Sequence, residues 1–300
     1  MRVFVTGASG WIGSAVVPEL IDAGHEVVGL ARSDASAEAV AAAGAQVHRG
    51  SLDDLEGLRA AAAGSDGVIH LAFKHDVAFS GDFEAASDAD RRAIETFGAA
   101  LEGSDRPLVI ASGLAGLKPG AVATEEDVPD PGSPAGHRAL SERTALALAG
   151  SGVRSSSVRL APTVHGEGDH GFVAMIVDTA RETRVSGHVG DGANRWPAVH
   201  RRDAARLFRL ALETAPAGSV LHAAAEQGVP TRAIAEAIGR ALDLPVAPVG
   251  PEHFGWLGGF FGMDVQASSA RTRELLAWLP TEPGLLDDLE QGRYTRAPVA

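Results

Sequence analysis

The stretch Gly7-Ala8-Ser9-Gly10-Trp11-Ile12-Gly13 follows directly on the apolar run Val3-Phe4-Val5-Thr6, and nothing else in the chain restricts its fold as much. A strand that enters a tight glycine turn and continues as a helix gathers unpaired N–H groups and the positive end of the helix dipole at one point. Gly7 supplies the turn, Gly10 lets the backbone approach a pyrophosphate, and Gly13 lets the helix pack on the strand. The spacing predicts a helix over Ile12–Ala23 and a second strand over Glu26–Leu30. With a strand before the turn and a helix after it, Gly7, Ser9, Gly10, Trp11, Ile12 and Gly13 read as a dinucleotide cradle.

The rest of the first half continues in that rhythm. Strand-like runs at Gln46–Arg49, Gly67–Ala72, Pro107–Ala111 and Val153–Leu160 alternate with helical spacing over Ala35–Ala43, Leu52–Ala63, Phe83–Glu102 and His137–Ala149. Such alternation predicts an α/β, Rossmann-type, doubly wound parallel sheet covered by helices on both faces. Asp53 or Ser51 is the expected N-cap of the helix beginning near Leu52. Regularity fades after Leu160. Strand-like runs Arg184–Val189 and Arg195–His200 bracket the turn Gly190-Asp191-Gly192, and helices are expected over Asp203–Glu213 and Thr231–Leu242. Pro245–Gly262 reads as a lid or pocket wall. The expected plan is a dinucleotide-binding domain over 1–165, with sheet elements continuing through 195–225, and a smaller substrate-binding, capping part over 166–300.

Composition narrows the function classes. Cysteine is absent, which excludes disulfides, thiolate metal sites and cysteine nucleophiles. A net charge of −13 opposes a nucleic-acid surface. No apolar run reaches the ~18 residues of a membrane span, so a cytoplasmic protein acting on a small molecule is expected. The cluster His165-Gly166-Glu167-Gly168-Asp169-His170 is packed too tightly into a glycine-rich loop for a zinc site, and no metal is expected. Trp196, Phe254, Trp256, Phe260 and Phe261 line either an apolar substrate pocket or the core of the smaller part.

The second strand ends in Ala31-Arg32-Ser33 rather than in an acid. A guanidinium with a nearby hydroxyl suits a ribose 2′-phosphate, so NADP is expected in preference to NAD.

Further motifs fall in a recognisable order: Arg49-Gly50-Ser51-Leu52-Asp53, Gly67-Val68-Ile69-His70-Leu71-Ala72, Val109-Ile110-Ala111-Ser112-Gly113, Val158 through Gly166, and Pro197 through Asp203. Over about residues 1–215 this order resembles the extended and atypical short-chain dehydrogenases/reductases, the group of NAD-dependent epimerases and dehydratases. The resemblance implies that Ser51 and Leu52 flank the adenine and that Leu71, Ala72 and Phe73 run beneath the diphosphate and nicotinamide ribose, with Lys74 adding charge there. It also implies a Tyr-x-x-x-Lys pair, which this chain lacks: its one tyrosine is Tyr294. Aligning through Glu142 places Pro134 at the tyrosine position and Arg138 at the lysine position. Arg138 can hold ribose hydroxyls but is a poor proton carrier. His137 and His165 are therefore the candidate proton carriers, Ser112 the hydroxyl facing the substrate, and Asp90 either a link toward Arg138 or a surface partner of Arg91 or Arg92. The resemblance implies an atypical NADP-dependent oxidoreductase of small carbonyl, alcohol or conjugated substrates. A catalytically silent redox sensor and an epimerase or dehydratase with recycled nicotinamide stay open, as does a homodimer built on paired helices.

Overall fold

The computed structural model of the chain describes residues 1–129 and 136–294, except for the side chains of Phe79 and His137. Seven strands form one sheet in the spatial order Ser219–Ala223, Arg154–Leu160, Pro107–Gly113, Gly67–His70, Arg2–Thr6, Glu26–Ala31, Gln46–Arg49. Every neighbouring pair is parallel. The chain lays strands outward in one direction from Arg2–Thr6, then returns to its other side with Gly67–His70 and builds in the opposite direction. That reversal opens a crevice at the carboxyl ends of the two central strands, where folds of this type hold ligands.

The central strands are buried on both faces, as their unbroken apolar runs require: Val3, Phe4, Val5, Val68 and Ile69 are all fully inaccessible to solvent. Two apolar clusters sandwich the sheet. One gathers Val16, Val17 and Leu20 with Phe208, Leu212 and Trp278; the other gathers Leu58, Ile94, Phe97 and Leu101. Most expected elements form with shifted ends. The strand expected to reach Ala72 stops at His70, and Leu71–Lys74 leaves it as irregular chain. The helix expected from Leu52 starts at Leu55. Its cap is Asp54, which accepts the Gly57 N–H at 3.0 Å, so the expected cap at Asp53 or Ser51 is corrected.

A third apolar cluster lies in the second half and joins Val173, Ile176, Val177, Trp196, Ile238, Phe254, Phe261, Leu285 and Leu289. The helix Phe172–Thr183, not expected from sequence, supplies its spine with Val173, Ile176, Val177 and Ala180 inward. Arg195–His200 pairs parallel with Thr163–His165 and antiparallel with Glu226–Pro230. Ser186–Val189 pairs instead with Val246–Val249, so the glycine turn at 190–192 does not close a hairpin. Trp196, Phe254 and Phe261 are buried core, whereas Trp256 is 57% exposed. Among the described residues no helix is long and apolar enough to cross a membrane.

Candidate functional site

The glycine turn opens at the crevice, and its three glycines do different work. Gly7 has φ +68°, and a Cβ there would stand 2.8 Å from the Ala72 nitrogen and 3.0 Å from the Leu71 carbonyl carbon. A Cβ on Gly13 would stand 2.0 Å from the Gly7 oxygen. Both positions therefore demand glycine so that strand exit, helix start and the Leu71–Ala72 segment can touch. Gly10 is exposed, and its Cβ would meet only the Gly7 oxygen, at 3.2 Å. Ser9 is exposed beside it. The helix Gly13–Asp22 starts with no side-chain cap, and its Ser14 and Ala15 N–H groups turn back onto the Gly10 and Ile12 carbonyls. A pyrophosphate fits such a cradle: the space that two glycines close is filled by backbone, and the space that the third leaves open faces the crevice.

Toward the strands Glu26–Ala31 and Gln46–Arg49 the crevice is bordered by ion pairs. Arg32 Nη1 lies 3.2 Å from Asp76 Oδ2, and both side chains are largely exposed. Asp34 does not neutralise Arg32; it pairs with Arg49. The Ser33 hydroxyl caps the next helix by accepting the Ser36 N–H at 3.2 Å. Ser51 Oγ accepts the Asp53 N–H, and Leu52 is buried beside Phe4 and Leu30 in one apolar cluster. Lys74 Nζ sits 2.7 Å from both oxygens of Asp53, so its charge is directed to the loop after Gln46–Arg49.

At the other end of the crevice, polar side chains form a continuous buried chain. Thr6 and His70 end adjacent strands in matched register. Thr6 Oγ1 accepts the Ala72 N–H at 3.2 Å and lies 2.6 Å from His70 Nδ1. His70 Nε2 lies 3.1 Å from Asp90 Oδ1. With Thr6 already accepting from Ala72, its hydroxyl donates to Nδ1 and the His70 Nε2–H donates to Asp90. Arg138 Nη1 reaches Asp90 Oδ2 at 3.4 Å, and its Nη2 donates to the Ala111 carbonyl at 2.7 Å. The guanidinium also lies 4.3 Å from the centre of the Phe73 ring. Burial opposes ionisation of Asp90, but the Arg138 charge and the His70 hydrogen bond outweigh it and hold the carboxyl below the ordinary aspartate range. Asp90 thus belongs to the interior network, while Arg91 pairs with Asp88 and Glu95.

Asp90, Arg138 and Phe73 therefore meet, and Ser112 is the residue after the carbonyl that Arg138 binds. His137 starts the same helix as Arg138, but its side chain lies outside the described residues, as does Pro134. Thr6 and His70 were not singled out from sequence. Their signal was two polar residues closing otherwise apolar paired strands.

His165 is placed elsewhere. Its Nδ1 lies 2.7 Å from Asp288 Oδ2, and its ring meets His200 edge-on at 5.5 Å. Burial, assisted by the neighbouring His165, lowers His200 to about 4 despite the pull of Asp288. Tyr294 donates to Asp169 Oδ2 at 2.8 Å, and burial together with that carboxylate pushes its phenol well above the ordinary tyrosine range. The lone tyrosine is therefore a clasp on the 165–171 loop rather than a proton exchanger. Trp11 connects that loop to the glycine turn, donating its indole N–H to the Val164 carbonyl at 2.8 Å, with Arg201 over its ring.

The model of the NAD dependent epimerase/dehydratase family matches residues 3–224. The chain belongs to that family. Among its relatives is the fission yeast (Schizosaccharomyces pombe) uncharacterized protein C2A9.02, 48% identical across 98% of this chain and 100% of that one. A 4-hydroxy-2-methyl-3-oxo-4-farnesyl-3,4-dihydroquinoline-1-oxide ketoreductase of Stigmatella aurantiaca is 30% identical over 73% of this chain and 67% of its own length. In overall fold the chain is similar to a dTDP-glucose 4,6-dehydratase of Streptomyces venezuelae solved with NAD bound, with a TM-score of 0.79, 21% identity, and 98% and 96% of the two chains covered. The matched region of the family model contains the glycine turn, the Thr6–His70–Asp90–Arg138 chain and Ser112.

Proposed function

We propose that this epimerase/dehydratase-family protein is an NADP-dependent oxidoreductase that acts on a small carbonyl, alcohol or conjugated substrate. The observation that carries the reading is the meeting of Asp90, Arg138 and Phe73, with Arg138 also bound to the Ala111 carbonyl, in a sheet whose strand order reverses at Arg2–Thr6. The nicotinamide supplies or accepts hydride. The glycine turn holds the diphosphate, Arg32 the 2′-phosphate and Arg138 the hydroxyls of the nicotinamide ribose. Asp90 and His70 keep Arg138 in place, and Ser112 orients the substrate oxygen. A guanidinium does not act as a proton carrier in proteins, so Arg138 binds and does not exchange protons. Of the two histidines named from the sequence, His165 is engaged by Asp288 in the interior, so proton transfer is assigned to His137, one residue before Arg138. The relative named as a ketoreductase supports carbonyl reduction.

Titration with NADPH and NADH, followed by NADPH oxidation over a carbonyl panel, tests the proposal. Micromolar or tighter NADPH binding with turnover of at least one ketone or aldehyde is expected. Tight binding without turnover of any member would replace it with the sensor reading, which the lack of a tyrosine on the Arg138 helix favours. No uptake of either coenzyme removes both.

A further inference from the structure

The Lys74–Phe79 stretch leaves the strand Gly67–His70 but is tied down on the far side of the crevice. In the sheet, Arg2–Thr6 lies between Gly67–His70 and Glu26–Ala31, and Gln46–Arg49 lies beyond. Asp76 pairs with Arg32, just past the end of Glu26–Ala31, and Lys74 pairs with Asp53, in the loop after Gln46–Arg49. The stretch therefore crosses the carboxyl edge of the sheet where an adenosine lies in folds of this topology. There Asp76 occupies Arg32, the cation read from the sequence as the partner of a 2′-phosphate.

We propose that Asp76 is a specificity-determining residue for the coenzyme, an internal anion that a 2′-phosphate must displace from Arg32. This rests on reading Arg32 as the 2′-phosphate partner. The pair is well suited to exchange. Its side chains are 70% and 60% exposed, so water already solvates both charges and separating them costs little. A phosphate monoester brings about −1.5 to −2 charges and three acceptor oxygens against one carboxylate. A 2′-hydroxyl has neither and leaves the pair intact. Asp76 thus reduces the advantage that Arg32 alone would give to NADP, and phosphate binding releases the Asp76 tie of the His75–Phe79 turn.

Asp76→Asn removes the charge while keeping an oxygen for the Val77 N–H, which Asp76 Oδ1 accepts at 3.1 Å. Titration of wild type and variant with NADPH, NADH and adenosine 2′,5′-bisphosphate gives the test. The variant is expected to bind NADPH and the bisphosphate about two- to fivefold more tightly, with NADH changed less than about 1.5-fold and the gain shrinking in high salt. An equal change for NADPH and NADH, or none, overturns the proposal. In an Arg32→Ala background the Asp76→Asn effect should vanish; a gain that persists there is a general charge effect and also overturns it. The reading of Arg32 fails on a different result, a wild-type protein whose NADPH affinity is unmoved by Arg32→Ala.

Discussion

The two ends of the crevice use ion pairs in opposite settings. At the end beside Glu26–Ala31 and Gln46–Arg49, Arg32–Asp76 and Lys74–Asp53 meet with three of their four side chains at least 60% exposed. At the opposite end, Asp90 is 4% exposed and meets His70 and Arg138 inside the protein. In water a carboxylate loses little when its partner leaves. In the interior it has no substitute, and removing one member strands the others. The outer pairs can therefore trade partners when a ligand arrives, while the inner chain works as fixed framework.

The largest expected effect follows from breaking the inner chain. Asp90→Ala leaves Arg138 and the His70 N–H without their acceptor and should cost about 3–5 kcal/mol of unfolding free energy, the usual range for disrupting a buried pair. Urea unfolding measures it, and a loss below about 1 kcal/mol would place the network in effective solvent. The same residue carries a pH signature. Its carboxyl titrates lower in the folded than in the unfolded protein, so its contribution is complete above the unfolded value near 4 and is lost as pH falls through the folded value. Asp90→Asn should therefore flatten the acid limb of stability below about pH 4 and leave the curve above it parallel to wild type.

Smaller effects are expected at the outer end. Arg32→Ala should weaken NADPH binding about tenfold, the lower end for a charge-assisted bond because the guanidinium is exposed, with NADH affinity unchanged. Equal weakening of both coenzymes would show that Arg32 acts on something common to them, such as the adenosine or the tether of the 74–79 stretch.

The same contrast explains what could be read from sequence. The strand Arg2–Thr6 and the glycine turn are legible because they rest on local rules: an apolar run for a buried strand and glycine where no Cβ fits. Asp90 was legible as a position in a helix, but its attachment to His70 depends on two strands and a helix separated by 20 or more residues in sequence. No local pattern encodes that. The helix Phe172–Thr183 was missed although its buried residues recur at helical spacing, since Phe-Val-Ala-Met-Ile-Val is apolar enough to obscure the period. Asp53 and Ser51 both read as caps because either side chain can accept a helix-start N–H, and a helix start is uncertain by one or two residues. The role Asp53 does have, holding Lys74, is a contact between loops that only the folded sheet creates.

The smallest effect sharpens the comparison most. The Lys74–Asp53 pair has good geometry, with both carboxylate oxygens 2.7 Å from the ammonium, so by distance alone it outranks the 3.4 Å contact of Arg138 with Asp90. If distance governed, Asp53→Asn would be the costlier change. Asp53 is 62% exposed, however, and water replaces most of what the ammonium supplies. Asp53→Asn should therefore cost only about 0.2–1 kcal/mol, diminishing further as salt is raised. Urea unfolding of Asp53→Asn beside Asp90→Asn decides between the two accounts. A cost at Asp53 equal to that at Asp90 would mean that contact geometry, not burial, sets the strength of ion pairs along this crevice, and the division between an exchangeable outer end and a fixed inner end would no longer hold.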